Sequence, residues 1–372
     1  PAELRARRGG FLTDVAAFDP LFFAISPAEA LRLDPQERLF LQTAYHAIED
    51  SGYRPTDLAD NAEVGVFVGV MYEEYQLYGA EDQLRGGGRV LNGPSSSVAN
   101  RVSYTLGLKG PSLAVDSMCS SSLVALHMAA RAILDGDCSA AIAGGVNVTV
   151  HPNKLRMLAG NGMLSWLGRC AAFGAGADGY VPGEGVGAVV LKPLHVALRD
   201  GDHVYGVVKG TAVNHGGHTS GYTVPDPAAQ AAVITKAMQR AGGDPASIGY
   251  VEAHGTGTSL GDPIEIRSLA AAFGPDTPKG SCWLGSVKTN IGHCESAAGI
   301  AGLTKVLLQM QHGTIVPSLH SAELNPMLDL EATQFVVARE ATEWAATPGG
   351  RLRRAGLSAF GAGGTNAHVI VE

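Results

Sequence analysis

A chain of 372 residues can form two α/β units or one large one, and it can bury a sizeable core. Charged residues are 17% against 45% hydrophobic, net charge is −8, and no Lys/Arg run follows Arg5 to Arg8, which argues against a nucleic-acid groove. No apolar run nears the roughly 18 residues that span a bilayer, and the start does not resemble a signal peptide, so no membrane partner is expected. The five cysteines, Cys119, Cys138, Cys170, Cys282 and Cys294, include no CxxC pair and leave one over, so a reduced, cytoplasmic setting is expected. No Cys/His pair has zinc-ligand spacing.

Residues 1–33 show no period, with Phe11, Phe18, Phe22 and Phe23 offering an apolar edge. Asp34 and Pro35 read as the N-cap and first residue of a helix ending at Gly52, with Glu37 placed for a capping box. The apolar run 64–70 is a strand covered on both faces. Residues 72–93 lack a period and contain Gly86-Gly87-Gly88, so a loop is expected, followed by a helix over 95–106. Residues 111–116 read as a short buried strand. From Ser120 onward Leu123, Leu126, Ala130 and Leu134 recur at helical spacing until Gly136. Two β-like runs, 140–150 and 185–194, flank a turn-rich insert over 152–183. Gly183-Glu184-Gly185-Val186-Gly187 opens a strand with no helix behind it, so it is not a dinucleotide fingerprint.

After Leu194 the order of elements begins again. A strand is predicted over 204–213, a helix over 228–241, and a strand over 248–253 running into His254-Gly255-Thr256-Gly257-Thr258. A helix over 262–272, a strand over 282–288, a helix over 296–310, a strand over 334–338 and a broken strand pair over 355–372 complete the chain. Halves 1–195 and 196–372 share the order helix, strand, helix, strand, helix, strand, strand, which points to a duplicated α/β unit. The first half lacks a counterpart of the strand at 204–213, expected to lie upstream of Pro1.

Cys119 sits where a predicted strand turns into a helix. Free amides and the positive end of the dipole then point at the sulfur, which favours thiolate, and a nucleophile on such a turn stands clear of the sheet. Ser120, Ser121 and Ser122 can satisfy backbone groups at the helix start. His254 and His293 each follow a predicted strand of the second half, and strand ends converge at the crevice where α/β sheets hold ligands. Cys119, His254 and His293 are therefore expected to share a pocket. His127, on the apolar helix, is expected to be a packed core residue. The glycine density of Phe360-Gly361-Ala362-Gly363-Gly364-Thr365-Asn366 brings backbone amides close to a ligand, and beside a thiolate it is a candidate oxyanion hole.

Four ordered motifs, at 115–123, 254–258, 288–293 and 360–368, resemble the β-ketoacyl synthases over essentially the whole chain, specifically the ketosynthase domains of modular polyketide synthases. The resemblance implies the thiolase fold, a duplicated α/β unit in five layers (α-β-α-β-α), acting as a homodimer with no bound cofactor or metal. Its partners would be other synthase domains and acyl carrier proteins, whose phosphopantetheine arms present the substrates. Cys119 would take a growing acyl chain, and His254 and His293 would assist decarboxylation of a malonyl-type extender and stabilise its enolate. Backbone amides of Cys119 and Ala362 would hold the tetrahedral oxyanion. Thr256 and Thr258 would contact the pantetheine arm, Lys288, held by Asp262, would order the histidines, and Met118, Phe360, Gly363 and Gly364 would bind substrate.

Some positions depart from the commoner pattern. Ala362 stands where bacterial fatty-acid synthases of this family carry a phenylalanine gate, implying a less obstructed acyl channel. The Phe-Gly-Ala-Gly-Gly form, with 214–217 and 221–225, resembles ketosynthases of assembly lines served by a separate acyltransferase. Met118 replaces a frequent alanine and should reshape the acyl pocket; Trp166-Leu167 replaces a polar turn pair. Arg5, Arg7 and Arg8 could meet an acidic carrier, although a solvated terminus is the plainer reading. Two alternatives stand beside elongation. One is a ketosynthase-like domain that only transfers chains or serves as a dimer scaffold. The other is a papain-like cysteine hydrolase, suggested by the 135 residues between Cys119 and His254 but lacking that class's cysteine signature and leaving the His293 turn unexplained.

Overall fold

Two mixed sheets, each wrapped by helices, carry the architecture of the computed structural model, which describes residues 8–61, 63–344 and 352–372. The first half contributes α1 (Pro35–Asp50), β1 (Val64–Gly69), α2 (Tyr75–Leu84), α3 (Ser96–Leu106), β2 (Ser112–Val115), α4 (Ser121–Asp135), β3 (Ala140–Asn147), α5 (Pro152–Gly160) and β4 (Gly185–Leu191). The second contributes β5 (Val208–His215), α6 (Pro227–Arg240), β6 (Tyr250–Glu252), α7 (Gly261–Phe273), β7 (Cys282–Gly285) and α8 (Ala298–His312). It continues with β8 (Thr314–Ile315), β9 (Phe335–Val337), β10 (Thr342–Glu343), β11 (Ala355–Phe360) and β12 (Thr365–Val371). No helix among the described residues is long and apolar enough to cross a membrane.

The sheets run β2-β1-β3-β4 and β5-β12-β11-β6-β7-β9. In the first, β1 is parallel to β2 and β3, and β3 is antiparallel to β4. In the second, β6 is parallel to β7 and β11, and β11 is antiparallel to β12. The halves thus correspond strand for strand, β1 to β6, β2 to β7, β3 to β11 and β4 to β12. Beyond β12 the second sheet adds β5, antiparallel to it. No strand among the described residues holds the matching place beside β4.

Five layers result. Helices α1 and α3 cover the outer face of the first sheet, α4 and α8 fill the space between the sheets, and α6 and α7 cover the second. The middle layer is the most apolar because both its faces are covered. Leu123, Leu126 and Ala129 of α4 and Ile300, Leu303 and Val306 of α8 pack between Phe67 and Ala143 on one side and Leu357, Ala359 and Val369 on the other. This is the thiolase fold, and it sets the N-termini of α4 and α8, one from each half, against the same central seam.

Local structure differs from the sequence expectation where distant contacts decide it. Asp34 caps α1, accepting from the Gln36 amide at 2.8 Å, but Glu37 forms no capping box. Its carboxylate is buried against α3 and pairs with the half-buried Arg101 at 2.8 Å, which a buried anion needs more than it needs a helix end. The segment 72–93 contains α2, fixed because Tyr75 and Tyr78 donate their hydroxyls to the carbonyls of Leu31 and Val150 at 2.9 and 3.0 Å. Residues 152–183 open with α5, started by Pro152 and capped by His151, whose Nδ1 accepts from the Asn153 amide at 3.2 Å. Strand β2 is an edge strand and only partly buried, with Leu113 facing outward. Strand β5 lies four residues later than its predicted start, at Val208, because it is set by its register with β12. His127 is half-buried rather than a core residue, with its ring nitrogen 2.7 Å from the Thr211 hydroxyl.

The seam between β1 and α4 leaves no room for a side chain at Gly69. A Cβ there would stand 2.5 Å from the Ser122 nitrogen and 2.7 Å from the Ser121 carbonyl carbon, both backbone atoms of the first turn of α4. Gly69→Ala is expected to cost about 1–3 kcal/mol through overpacking. Thermal unfolding should show this as a lowered midpoint, together with slower alkylation or acylation of Cys119 as the helix start is displaced.

Candidate active site

The turn that carries Cys119 is bent and tied down before any ligand is considered. Met118 has φ 58°, a left-handed conformation that costs a non-glycine residue about 1–3 kcal/mol. Its amide donates to Asp116 Oδ1 at 2.9 Å and its carbonyl accepts from Ser121 Oγ at 2.5 Å. Ser120 Oγ donates to the Ser117 carbonyl at 2.8 Å, while Ser122 Oγ accepts from the Ile300 amide of α8 at 3.1 Å. Two of the three serines therefore tie the turn, and the third joins the halves. A single 3₁₀ turn, Met118–Ser120, precedes α4, so the sulfur leaves the chain from the tightest part of the backbone. Gly361 lets the 360–364 turn close over it, because a Cβ there would lie 2.3 Å from the Ser117 carbonyl.

His254 is presented by the turn after β6. Two buried carboxylates of α7 hold that turn. Glu265 accepts the His254 and Gly255 amides at 2.7 and 2.9 Å, and Asp262 accepts the Phe173 and Gly257 amides at 2.8 and 3.2 Å. His293 lies before α8, paired with the strand-like stretch entering β4. Its amide donates to the Val181 carbonyl at 2.7 Å and its carbonyl accepts from the Gly183 amide at 2.8 Å. The glycines at 183–187 are thus a place of close backbone approach.

Both imidazoles use Nδ1 as an acceptor: His254 from the Phe360 amide at 3.3 Å, His293 from the Glu295 amide at 2.9 Å. An amide always donates, so in each neutral ring the proton must sit on Nε2. The ring centroids are 5.6 Å apart at 81°, and Tyr180 stacks edge-on to His293 at 4.9 Å. Burial first, then the Lys288 ammonium, pushes both histidines well below their ordinary 6.5, keeping them neutral.

A cavity of about 1140 Å³ joins these groups. Cys119, His254 and His293 line it together, with Met118, Thr256, Thr258, Asp262, Phe360, Ala362, Gly363 and Gly364. The expected common pocket therefore exists. Two expectations need correction. Lys288 does not rest on Asp262: the Asp262 oxygens are taken by backbone amides, and no ion pair between the two occurs among the described residues. The lysine is buried and acts on both histidines through its field alone. Nor does the helix start give a resting thiolate. Burial, and next the Glu295 carboxylate, push the Cys119 thiol up to about 12, against the opposing pull of Lys288 and of the Ala362 and Cys119 amides.

Glu265, Glu295, Tyr180 and Lys154 were not singled out by the sequence. Glu265 had a usable signal, since it lies one helical turn after Asp262 and shares its face toward the His254 turn. Trp166 and Leu167 are exposed, and their turn is built by their backbone amides donating to Asp178 Oδ2 at 2.9 and 3.3 Å. Arg5 and Arg7 lie outside the described residues.

The α7 carboxyls give the site a pH-dependent support. Burial raises Asp262 from 3.8 to about 6 and Glu265 from 4.5 to about 7, although backbone amides pull both down. The folded chain then holds protons that the unfolded chain has released, so the stability these groups contribute falls as pH rises toward about 7. Glu265→Gln leaves one of two amides without an acceptor and is expected to cost about 1–3 kcal/mol. Melting curves should show that deficit shrinking between about pH 5 and pH 8, because Asp262 ionises in both proteins but only the parent has a carboxyl at position 265 to ionise there.

Comparison with known proteins agrees with this geometry. The family model for the β-ketoacyl synthase N-terminal domain matches residues 1–197, and that for the C-terminal domain matches residues 205–322. The chain is 60% identical over 366 residues to polyketide synthase ThaG of Burkholderia thailandensis, with 98% of this chain and 6% of that protein covered. It is 56% identical over 386 residues to polyketide synthase PksL of Bacillus subtilis, covering 100% of this chain and 8% of the relative. Among solved structures, the oxazolomycin ketosynthase domain OzmH KS7 of Streptomyces albus JA3453 superposes with a TM-score of 0.94 at 56% identity, covering 98% of this chain and 63% of that one. The ketosynthase from module 6 of the bacillaene synthase of Bacillus subtilis 168 superposes with a TM-score of 0.91 at 42% identity, covering 98% and 64%. The chain thus spans a small fraction of its curated relatives and somewhat under two thirds of these solved chains. With both family models in sequence order and a cysteine and two Nε2-protonated histidines on one cavity, the chain belongs to the β-ketoacyl synthase family.

Proposed function

We propose that this chain is a condensing domain of a modular polyketide synthase that works by decarboxylative Claisen condensation on substrates carried by acyl carrier proteins. The observation that carries the reading is the pair of neutral imidazoles whose Nδ1 atoms are both occupied by backbone amides. Their Nε2–H donors are left for a substrate in the cavity that Cys119 also lines.

In the first half-reaction the Cys119 sulfur adds to the thioester carbonyl of an acyl chain on a phosphopantetheine arm. The oxyanion sits against the Cys119 and Ala362 amides. The carbon–sulfur bond to the arm then breaks, and the proton of the Cys119 thiol ends on the departing pantetheine sulfur. No net proton is consumed, so a resting thiol with a high pKa is compatible with the exchange. In the second, a malonyl-type thioester loses carbon dioxide and the electron pair of that bond moves into an enolate. Its oxygen accepts from the Nε2–H groups of His254 and His293, which are weak acids and leave the carbanion unprotonated. The enolate carbon attacks the acyl-Cys119 carbonyl, a carbon–carbon bond forms, and the carbon–sulfur bond to Cys119 breaks; the sulfur leaves as thiolate and takes a proton from water to return to the resting thiol. Thr256 and Thr258, whose hydroxyls lie 3.4 Å apart on the wall, suit the pantetheine arm, and Met118, Phe360, Gly363 and Gly364 the acyl path. The glycine-rich form of the 360–364 turn supports an assembly line with a separate acyltransferase, and a homodimer in the cytoplasm is the working assembly we infer.

Intact-mass analysis after incubation with an acyl thioester, followed by a malonyl-loaded carrier protein, tests this. Cys119→Ala should neither acylate nor condense. His254→Ala should still acylate, and should lose condensation by about 10²–10³ as one oxyanion donor disappears. Normal extension by the His254 variant would refute the role given to that ring. Acylation of the parent with no extension by any malonyl-type unit would instead identify a domain that only transfers chains.

A further inference from the structure

Helix α5, within the segment the sequence left as turns, sends one cation into the wall of the cavity. Lys154 is fully buried, with its ammonium 2.5 Å from Glu295 Oε2 and 2.6 Å from Asn147 Oδ1, and it lies 4.6 Å from the centroid of the Tyr72 ring. Asn147 Nδ2 donates in turn to the Gly183 carbonyl at 2.7 Å, on the stretch that pairs with His293. Glu295 is equally buried, with φ 46°, and its amide is the donor that fixes the His293 tautomer. Its other oxygen accepts from the Tyr180 hydroxyl at 3.4 Å. Glu295, Tyr72 and Tyr180 all line the same cavity as Cys119.

We propose that Lys154 is a positioning residue for Cys119: from the far side of Glu295 it supplies the counter-charge that limits how strongly this carboxylate opposes the thiolate. A buried anion beside a nucleophilic sulfur would otherwise be unpaired, and its field would act on the sulfur at full strength. The charged and titratable groups around Cys119 are few. Glu295 opposes ionisation and Lys288 favours it; Tyr72, Tyr180, His254 and His293 face it across the cavity, and Asp116 lies on the turn before it. Lys154 also acts on His293, adding to Lys288 in keeping that ring neutral. One lysine therefore supports both halves of the proposed chemistry, the ionisable sulfur and the neutral imidazole. This inference rests on the assignment of Cys119 as acyl acceptor only for its biological meaning, since the charge balance can be read on the thiol alone.

The test is the rate of alkylation of Cys119 by iodoacetamide, a neutral probe that forms a carbon–sulfur bond as iodide leaves, followed by peptide mass spectrometry from about pH 6 to 10. Glu295→Gln should accelerate labelling several-fold at each pH, since the opposing charge is gone and Lys154 remains. Lys154→Met should slow it about tenfold, the equivalent of one unit in the thiol's pKa. The double variant should return close to the parent. A purely structural role for the pair would slow both single variants alike, and that result, or unchanged rates in both, would overturn the proposal. Should Lys154→Met fail to fold, the Glu295→Gln variant decides, because an unaccelerated rate there refutes the charge balance directly. Alkylation requires neither acyl chain nor extender, so its outcome is separate from that of the condensation assay.

Discussion

Two hydrogen bonds from backbone to imidazole determine what this cavity can do. The Phe360 amide on His254 and the Glu295 amide on His293 each fix a ring nitrogen as an acceptor, which leaves the opposite nitrogen protonated. Neither bond would suffice alone. A charged imidazolium would donate from both nitrogens and could not accept an amide, so burial, which disfavours charge, and backbone geometry select the same state. The amides are rigid because each belongs to a ladder or helix start: Phe360 closes β11, and Glu295 begins the turn into α8. The chemistry of the side chains is thereby set by secondary structure.

The duplicated fold explains why the parts come from opposite ends of the chain. Corresponding strands of the two halves run in the same relative directions, and α4 and α8 lie side by side between the sheets. Their N-termini are tied by Ser122 accepting from the Ile300 amide. Cys119 precedes one of these helices and His293 precedes the other, so a pseudo-symmetric scaffold supplies unlike groups at related positions. His254 follows β6, the counterpart of β1, whose own end at Gly69 is bare because α4 lies against it.

Electrostatics in the cavity is dominated by burial. Desolvation pushes the thiol up, the imidazoles down and the α7 carboxyls up, and each shift favours the neutral form. Thioester exchange tolerates a neutral thiol, because the proton leaves on the departing sulfur. An enolate needs donors that do not surrender a proton, which neutral imidazoles supply. A cavity that holds its reacting groups neutral is thus consistent with both half-reactions of the proposed condensation, and the buried charges behind its wall, Lys288 and the Lys154–Glu295 pair, have correspondingly long reach.

The linear order of residues determined the alternation of strands and helices, the repeat, and the three side chains that share the cavity. Each of those signals is local: an apolar run, a helical period, a histidine placed after a strand. Tertiary structure decided the rest, for reasons that no local pattern contains. Helix α2 forms because Tyr75 and Tyr78 bond to carbonyls far along the chain, Glu37 chooses Arg101 over its own helix end, and Asp262 chooses amides over Lys288. The protonation states of Cys119, His254 and His293 follow from how far the groups are desolvated when the two halves meet. That desolvation exists only once the sheets have packed, so a sequence can nominate the groups but cannot fix their charge.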